Sequence, residues 1–349
     1  MNCHKIRSLP EDVILQILVL LPVKSLIRAK AVCKMWHKFI SEQYFVRFYN
    51  GLSVTNPTVL VKIEVSDWDS RWIYVDSLRQ ASQLSLDFLN EHVKIRASHN
   101  GFLCCSSELY KDKYYICNPM TREYTMLPRE KNATWYFSHK EAILVGLDYD
   151  LSGSKFNVVV VASCGGIRRN RHDWVCSVFD SESGKWRQYF SKESVKFYRI
   201  VLINGTLYWP KNKSGILLLD LNNNLWRNIS LPNEMDQGSE INIHCLECDG
   251  FLSVIQMSKK WMKIWLLKNY NREDGWDLVD EVNLTNIRCT VPELFPISQN
   301  SNCIFFAGRK EILVYEVKGR VWKQMYSTMD EPTTPLWCTA HPYVATISS

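Results

Sequence analysis

The residues best suited to metal or redox chemistry in this chain are Cys245 and Cys248, its one Cys-x-x-Cys pair. Thiolates at this spacing can share a zinc ion or cycle through a disulfide. Either chemistry normally needs a second pair nearby or a βαβ setting, and the sequence provides neither. We therefore predict that the twelve cysteines are reduced, apolar residues in a reducing compartment, the cytoplasm and/or the nucleus.

A second group of residues could bind an anion, because it combines cationic side chains with an aromatic ring. Guanidinium and ammonium groups bind the carboxylates or phosphates of an acidic or phosphorylated peptide. The structural alternative is a solvated connection between strands, which is what runs of charge usually form. The candidate substrate-binding residues are Arg168, Arg169, Arg171, His172, Lys260 and Trp261.

No catalytic motif occurs in the chain. A phosphate-binding loop, a dinucleotide fingerprint, a His-Glu-x-x-His helix and a Gly-x-Ser-x-Gly turn are all absent from the sequence. The 8 histidines and 36 acidic residues are scattered. We predict no catalytic residues, no cofactor and no metal, and keep as the alternative an enzyme whose site is assembled from distant loops.

The net charge of +6 is concentrated at the N-terminus. Residues 1–50 contain eight Lys and Arg and three acidic residues, a net of +5, whereas the remaining 299 residues carry +1. A nucleic-acid-binding domain carries its basic excess itself, so we predict no nucleic-acid partner. The basic N-terminal region could instead steer association with an acidic protein.

The sequence also predicts no membrane segment. The apolar run from Val13 to Leu21 is interrupted by Gln16 and is well short of the roughly 20 residues that span a bilayer. The first residues pass directly into a helical pattern and show no signal-peptide cleavage site.

From about residue 58 the sequence is typical of short β-strands, and only residues 78–96 have the pattern of a helix. Apolar and β-branched runs predict strands at Thr58–Val65, Phe156–Ala162, Gly215–Leu221 and Glu311–Val317.

These strands belong to a repeat. Asn118–Tyr124, Asp180–Trp186 and Asp220–Trp226 share one turn motif, in which Asn or Asp is followed six residues later by an aromatic residue. Shorter versions end at Trp276 and Trp322, and the closing aromatics are 62, 40, 50 and 46 residues apart. Such periods of antiparallel strands predict a β-propeller over residues 58–345, with six or seven blades. The repeat position of these tryptophans favours blade packing, whereas Trp68, Trp72, Trp135 and Trp174 lie outside the pattern and could be binding anchors.

The N-terminal stretch, residues 8–40, has the periodicity of three short amphipathic helices. Ser8 and Glu11 can form a capping box around Pro10, and Pro22 ends the first helix. About forty residues cannot bury so many apolar side chains without help. The surplus favours docking on a partner, and the alternative is a cap packed on the rest of the protein.

The order of residues in this stretch resembles the F-box, a helical module that docks on a Skp-type adaptor. The matching segments are Leu9–Glu11, Ile17–Leu18, Leu21–Leu26 and Val32–Lys34 with Trp36. The resemblance implies an F-box over residues 1–48, followed by a linker at 49–57. It assigns the following residues to the adaptor interface or to the small core beneath it: Leu9, Pro10, Ile14, Ile17, Leu18, Leu21, Pro22, Leu26, Val32, Cys33 and Trp36.

The β-rich region resembles the F-box-associated domain of a large plant F-box family, and is similar to that of the pollen S-locus F-box proteins. The motifs that carry this resemblance are His99–Cys105, Cys117–Pro128, Gly146–Asp150, Asn204–Trp209 and Ile264–Tyr270. Gly165-Gly166 is similar to the double glycine of kelch repeats but occurs in one blade only. The resemblance implies a non-catalytic substrate receptor of a Skp–cullin–F-box ubiquitin ligase, which binds the adaptor, through it a cullin, and separately a target protein. A scaffold that binds the adaptor without ligase function is the second alternative.

Overall fold

The computed structural model describes residues 10–54, 58–66, 69–75, 81–130, 144–151, 154–164, 173–191, 200–211, 215–235, 238, 241–269, 275–328, 334–336 and 340–348. Its N-terminal part is helical, with α1 (Glu11–Val19), α2 (Val23–Ala29), α3 (Lys34–Ser41) and α4 (Gln43–Val54). Three helices were predicted, and α4 is additional: it extends into residues predicted as linker. Ser8 lies outside the described residues, Pro10 is the N-cap of α1, and Pro22 is the N-cap of α2. Within the described ranges, no helix is long and apolar enough to cross a membrane.

After the helices, the strands form six antiparallel sheets of four strands each. These sheets are the blades of a propeller, and we name them A to F. Blade A contains β1 (Thr58–Ser66), β2 (Asp69–Val75), β3 (Ala81–Leu84) and β24 (Ala340–Tyr343). Blade B contains β4 (Val93–His99), β5 (Phe102–Ser107), β6 (Tyr114–Asn118) and β7 (Glu123–Met126). Blade C contains β8 (Leu144–Asp150), β9 (Lys155–Cys164), β10 (Asp173–Asp180) and β11 (Lys185–Ser191).

The other three blades follow in chain order. Blade D contains β12 (Val201–Ile203), β13 (Thr206–Pro210), β14 (Ile216–Asp220) and β15 (Leu225–Ile229). Blade E contains β16 (Asn242–Cys248), β17 (Phe251–Met257), β18 (Trp261–Leu267) and β19 (Trp276–Asn283), and is followed by α5 (Thr285–Thr290). Blade F contains β20 (Phe295–Gln299), β21 (Cys303–Ala307), β22 (Glu311–Glu316) and β23 (Val321–Ser327).

The C-terminal strand closes the ring. β24 pairs antiparallel with β1, with Thr58 opposite Tyr343 and Val61 opposite Ala340, so that the first blade is built from both ends of the chain. Because β24 supplies the innermost strand of blade A, all six blades have four strands. The β-propeller prediction is confirmed with six blades. The residues that the structure describes within the 62-residue interval belong to blades B and C and to the start of the connection between them.

The described part of residues 78–96, from residue 81 onward, does not form the helix that the pattern suggested. It contains β3, one 3-10 turn at Asp87–Leu89 and the start of β4. The apolar residues there, Leu84, Leu86, Leu89 and Ile95, are buried between blades A and B. Packing between two sheets has overridden the local helical pattern.

The core lies between neighbouring blades, which explains the uninterrupted apolar runs in the sequence. In β9, Val158 and Val160 pack on the side of blade B, whereas Val159 and Val161 pack on the side of blade D. Successive side chains of a strand point to opposite faces, so a strand buried on both faces is apolar at every position.

The predicted turn motif joins the third and fourth strands of a blade. In blade C, Asp180 accepts the backbone N–H of Glu182 at 2.9 Å, and in blade D, Asp220 accepts that of Asn222 at 2.9 Å. The closing tryptophans bind the preceding connection: Trp186 Nε1 donates to the carbonyl of Pro128 at 2.7 Å, and Trp276 Nε1 donates to that of Ser230 at 2.9 Å. The predicted packing role of these two rings is confirmed.

Antiparallel strands place successive turns at opposite ends of a blade, which gives the propeller two faces. Counting strands outward from the channel, the first-to-second and third-to-fourth turns lie on one face, together with the entry into β1 and the exit from β24. We call this the proximal face, because the helices lie there. The second-to-third turns and the connections between blades lie on the distal face.

Candidate functional site

The helical module has a small core of its own. Ile14 and Leu18 of α1, Leu26 of α2, and Phe39 and Ile40 of α3 are buried together. Ile14, Leu18 and Leu26 belong to the predicted adaptor-binding set, so the structure assigns these three to the core beneath a surface and not to the surface itself.

The same module leaves an apolar face exposed. Val13, Ile17 and Leu20 recur at i, i+4 and i+7 along α1, and Leu20 is 83% exposed. Val32, after α2, is 52% exposed, and Pro10 and Pro22 are also exposed. Large apolar side chains on one solvent-facing stripe of a short helix are typical of a docking surface. Leu20 was not among the predicted interface residues; its position at i+7 from Val13 is the signal that could have identified it.

The other predicted interface residues are partly buried or not described. Leu9 lies outside the described residues. Leu21, Cys33 and Trp36 are half-buried at the edge of the module. The indole N–H of Trp36 is buried, and no described residue accepts its hydrogen bond. Leu21 and Trp36 pack against the core of the helical module.

The helical module also carries exposed basic side chains. Exposed cations of α2 and α3 include Lys24, Arg28, Lys34 and Lys38, of which Lys38 lies 3.9 Å from Glu42. Their positive potential would attract a partner whose surface is acidic.

The C-terminal tail joins the helical module to the propeller. Asn50 of α4 donates from Nδ2 to Ser348 Oγ at 2.8 Å and accepts from Thr346 Oγ1 at 2.9 Å. Asn118 of blade B, fully buried, donates from Nδ2 to the carbonyls of Thr346 and Ser348 at 3.1 and 2.7 Å. Ile347 is buried in the core of the helical module. Residues 344–348 are therefore shared by both parts and fix their relative orientation.

Three sequence motifs of the β-rich region, those that contain His99, Asp148 and Gly205, lie at the proximal ends of the inner strands of blades B, C and D. His99 Nδ1 accepts the backbone N–H of Tyr149 at 2.8 Å, which links blades B and C. Asp148 Oδ2 accepts the N–H of Gly205 at 2.9 Å, which links blades C and D. Asp249 Oδ2 accepts the N–H of Ser301 at 2.8 Å, which links blades E and F. His99 and Asp148 of the motifs, and Asp249 outside them, thus hold adjacent blades together.

The central channel is open, with a cavity of about 690 Å³ lined by the six inner strands. Its charged and histidine side chains are Arg96, His99, His244, His341, Glu247 and Asp249. Glu247 and Asp249 accept hydrogen bonds from turn backbones, at 2.6 Å from Gly250 and 2.8 Å from Ser301. Among the described residues, no group of three or more His, Cys, Asp or Glu side chains could hold a metal ion.

The Cys-x-x-Cys pair is placed on a strand, not at a metal site. Cys245 and Cys248 both lie on β16, where residues three apart point to opposite faces of the sheet. Burial raises the pKa of each thiol to about 12. The two thiols are therefore protonated at neutral pH and face different surroundings.

Of the predicted substrate-binding residues, the structure describes Lys260 and Trp261, which lie at a second-to-third turn of the distal face. Arg168, Arg169, Arg171 and His172 lie in the connection between β9 and β10, outside the described residues, as does Gly165-Gly166. In the turn before β18, Lys259 and Lys260 are exposed, Trp261 is half-buried, and Lys263 Nζ lies 5.1 Å from the centre of the Trp261 ring.

Comparison with known proteins supports both parts of this organisation. Residues 6–49 match the family described as F-box-like, and residues 71–338 match the family described as F-box protein At3g26010-like, beta-propeller. F-box protein At5g49610 from Arabidopsis thaliana is 45% identical over 99% of this chain and 99% of its own length. The F-box/kelch-repeat protein At1g12870 from the same plant is 26% identical over 79% of this chain and 71% of its own length. Among solved structures, YCF48 from Cyanidioschyzon merolae covers 76% of this chain and 84% of its own, with 11% identity and a TM-score of 0.40.

Proposed function

Because the chain belongs to the F-box proteins with an At3g26010-like β-propeller, we propose that it is the substrate-recognition subunit of a Skp–cullin–F-box ubiquitin ligase. The predicted F-box and propeller are confirmed by these matches, and they support a substrate-receptor role in general. The adaptor, the cullin and the target as its partners are our proposal, and so is residence in the cytoplasm, the nucleus or both.

The observation that carries the proposal is the exposed apolar stripe of α1. Val13, Ile17 and Leu20 are exposed, and the core of the helical module is formed by other residues. Burial of a Leu or Ile side chain in an interface contributes about 1.5–3 kcal/mol. A Skp-type adaptor with an apolar groove and an acidic rim fits this stripe and the exposed cations of α2 and α3.

In this role the chain contributes no bond chemistry. It holds the target near a ubiquitin-loaded enzyme bound elsewhere in the complex, so the gain in rate comes from effective concentration and orientation. The tail contacts of Asn50 and Asn118 support this role, because a rigid connection between the helical module and the propeller restricts where a bound target can lie.

The test measures adaptor affinity of the full-length chain with Ile17→Gln and Leu20→Gln, which keep helix propensity and remove the apolar stripe. We expect at least a hundredfold loss of affinity in titration calorimetry with a purified Skp-type adaptor. The matched control replaces Leu278 and Val279, exposed on blade E, with Gln and should bind normally. Unchanged affinity of the folded Ile17/Leu20 variant would sink the proposal.

The same variant separates a ligase subunit from a non-ligase scaffold. It keeps the propeller intact, whereas deletion of residues 1–48 would cut α4 in the middle. Proteins captured by the full-length Ile17/Leu20 variant should accumulate in cells that express this variant in place of the natural chain. Captured proteins whose half-lives are the same in both backgrounds would favour the scaffold.

A further inference from the structure

The closing tryptophans of blades C and E each bind the connection that precedes their blade. Trp186 Nε1 donates to the carbonyl of Pro128 at 2.7 Å, and Trp276 Nε1 donates to the carbonyl of Ser230 at 2.9 Å. Ser230 is the first residue after the outer strand of blade D, and the next residue, Leu231, packs against the core between blades D and E. The chain therefore contains two examples of a main-chain carbonyl bound at this ring position.

Blade F has a tryptophan at the same position without the same hydrogen bond. The ring of Trp322 packs on Phe306 and Tyr315, with ring centres 5.0 Å apart in both pairs. Over the part of the chain that the structure describes, no residue accepts a hydrogen bond from Trp322 Nε1. The first residue after the outer strand of blade E is Leu284, and its carbonyl accepts the N–H of Arg288 at 2.8 Å as α5 begins. Helix formation in this connection has therefore engaged the carbonyl that corresponds to the acceptor between blades D and E.

A groove with a cavity of about 530 Å³ lies beside Trp322, between the outer strands of blades E and F, and we call it the E–F groove. Its walls come from the end of β19, from α5 and from blade F. Val282, Ile287 and Trp322 contribute apolar atoms, and two exposed amide side chains, Asn283 and Asn286, also line it. Cavities of about 300–1,000 Å³ that combine apolar walls with a few polar groups are typical of binding sites.

The E–F groove has no excess of positive charge. The two charged residues that line it, Glu281 and Arg320, have opposite signs. Arg320 is also paired with a buried carboxylate: its Nη2 donates to Asp280 Oδ1 at 2.6 Å, and Tyr315 donates to Asp280 Oδ2 at 2.7 Å. A neutral acceptor, such as a main-chain carbonyl, therefore suits the indole N–H of Trp322 better than a carboxylate or a phosphate.

We propose that the E–F groove binds an extended, uncharged segment of the target protein, and that a main-chain carbonyl of this segment accepts the hydrogen bond of Trp322 Nε1. In the connection between blades D and E, the bound carbonyl is followed by Leu231. A leucine in the target segment would contact Val282 and Ile287, which line the groove. This inference rests on the proposed function, since it names the class of segment that the receptor takes.

The test uses the full-length chain and a peptide with blocked ends, Asn-Ile-Ser-Leu-Pro-Asn, which copies residues 228–233 of the connection between blades D and E. The control peptide, Asn-Asp-Ser-Asp-Pro-Asn, has the same length and replaces both apolar side chains with Asp. Labelling of tryptophan with nitrogen-15 makes each indole N–H visible by NMR, and the signal of Trp322 is the one that disappears in Trp322→Phe. A hydrogen bond to a carbonyl moves the signal of an indole proton downfield.

We expect the copied peptide to move the Trp322 signal downfield and to leave those of Trp186 and Trp276 in place, because these two N–H groups are already bound. Trp322→Phe keeps an aromatic ring against Phe306 and Tyr315 but removes the donor. It should weaken binding of the fluorescein-labelled peptide about fivefold in fluorescence polarisation. Trp186→Phe makes the same change at a ring whose N–H is bound inside the protein, and should change affinity less than twofold.

Three results would overturn the inference: a Trp322 signal that the copied peptide does not move, equal losses of affinity in Trp322→Phe and Trp186→Phe, or equal binding of the two peptides. Adaptor affinity of the natural chain separates this inference from the proposed function. Normal adaptor binding with an unmoved Trp322 signal would reject the inference alone. A moved Trp322 signal in a chain that does not bind the adaptor would reject the proposed function alone.

Discussion

Asn118 in blade B donates a hydrogen bond of 2.7 Å to the carbonyl of Ser348, 230 residues later in the chain. The same side chain accepts the N–H of Met120 at 2.8 Å, so it forms its own turn and holds the C-terminal tail at once. The tail in turn binds Asn50 of α4. The position of the helical module on the propeller therefore depends on Asn118, a fully buried residue of blade B.

Replacement of Asn118 with Ala should destabilise the protein by about 2–4 kcal/mol. The change leaves the carbonyls of Thr346 and Ser348 and the N–H of Met120 without this partner, and unsatisfied buried groups cost about 1–3 kcal/mol each before relaxation. Chemical denaturation measures the loss. Asn286→Ala, at an exposed position of α5, is the control and should change stability by less than about 0.5 kcal/mol. Equal effects of the two changes would contradict the role of Asn118 in the joint.

Gly101 provides a second test of the tail contact. Its φ is +85°, and a Cβ there would lie 2.5 Å from the carbonyl oxygen of Val344 and closer still to the side chain of Thr346. Gly101→Ala should therefore displace the tail and cost more than about 3 kcal/mol, the sum of backbone strain and overlap. Hydrogen exchange should increase in α4 as well as in blade B.

Gly184→Ala is the matched control for Gly101. Its φ is +64°, but nothing lies within 4 Å of the added Cβ. Only the backbone term remains, about 1 kcal/mol. If both substitutions cost the same in denaturation, the tail would not be packed against Gly101.

The strands and turns of the propeller could be predicted because each carries its own local signal. Asp180 and Asp220 head a turn motif with fixed spacing, and the alternation of Val158 and Val159 between two interfaces explains the unbroken apolar run of β9. The blade count could not be fixed from spacing alone, because connections between blades vary in length. Closure of the ring by β24 could not be predicted either, because it pairs residues from opposite ends of the chain.

The functional surface was predicted only as a set of residues. Periodicity identified Ile14, Ile17 and Leu18 as apolar positions of α1, but it could not say which of them face the core, because a short helix with apolar residues on most sides has no single stripe. The packing of α3 and α4 decides this: Ile14 and Leu18 are buried and Ile17 is exposed. The contact between the C-terminal tail and Asn118 could not be predicted from the sequence. The turn motif already explained why Asn occurs at position 118, so nothing pointed to residues 346–348.

The cysteines should differ sharply in reactivity. Burial raises the pKa of Cys176 and of Cys245 to about 12, so their reactive thiolate forms are scarce and inaccessible at neutral pH. Cys289 on α5 is exposed. Peptide-resolved alkylation with iodoacetamide should modify Cys289 within minutes and leave Cys176 and Cys245 unmodified until denaturant is added. Rapid modification of Cys245 in the folded chain would reopen a redox role for the Cys-x-x-Cys pair.

The stability of the helical module should fall at alkaline pH through Tyr49. Its hydroxyl donates a hydrogen bond of 2.6 Å to the carbonyl of Leu21, and burial, with a smaller contribution from Tyr74, raises the pKa of Tyr49 to about 12, against 10.0 for an exposed tyrosine. Between these values the unfolded chain releases the proton and the folded chain keeps it. The folded state then binds more protons, so stability decreases as pH rises from 10 towards 12 and is unaffected by this group below pH 10.

Tyr49→Phe removes this titration and should flatten the dependence of unfolding free energy on pH above 10, by less than about 1.4 kcal/mol per pH unit. It should also lower stability below pH 10 by about 1 kcal/mol, since the hydrogen bond to Leu21 is lost. Tyr44→Phe, at an exposed position of the same helix, is the control and should leave both quantities unchanged. Urea denaturation at pH 8, 10 and 11 distinguishes the variants; parallel pH profiles for the natural chain and Tyr49→Phe would show that Tyr49 titrates alike in the folded and unfolded chain.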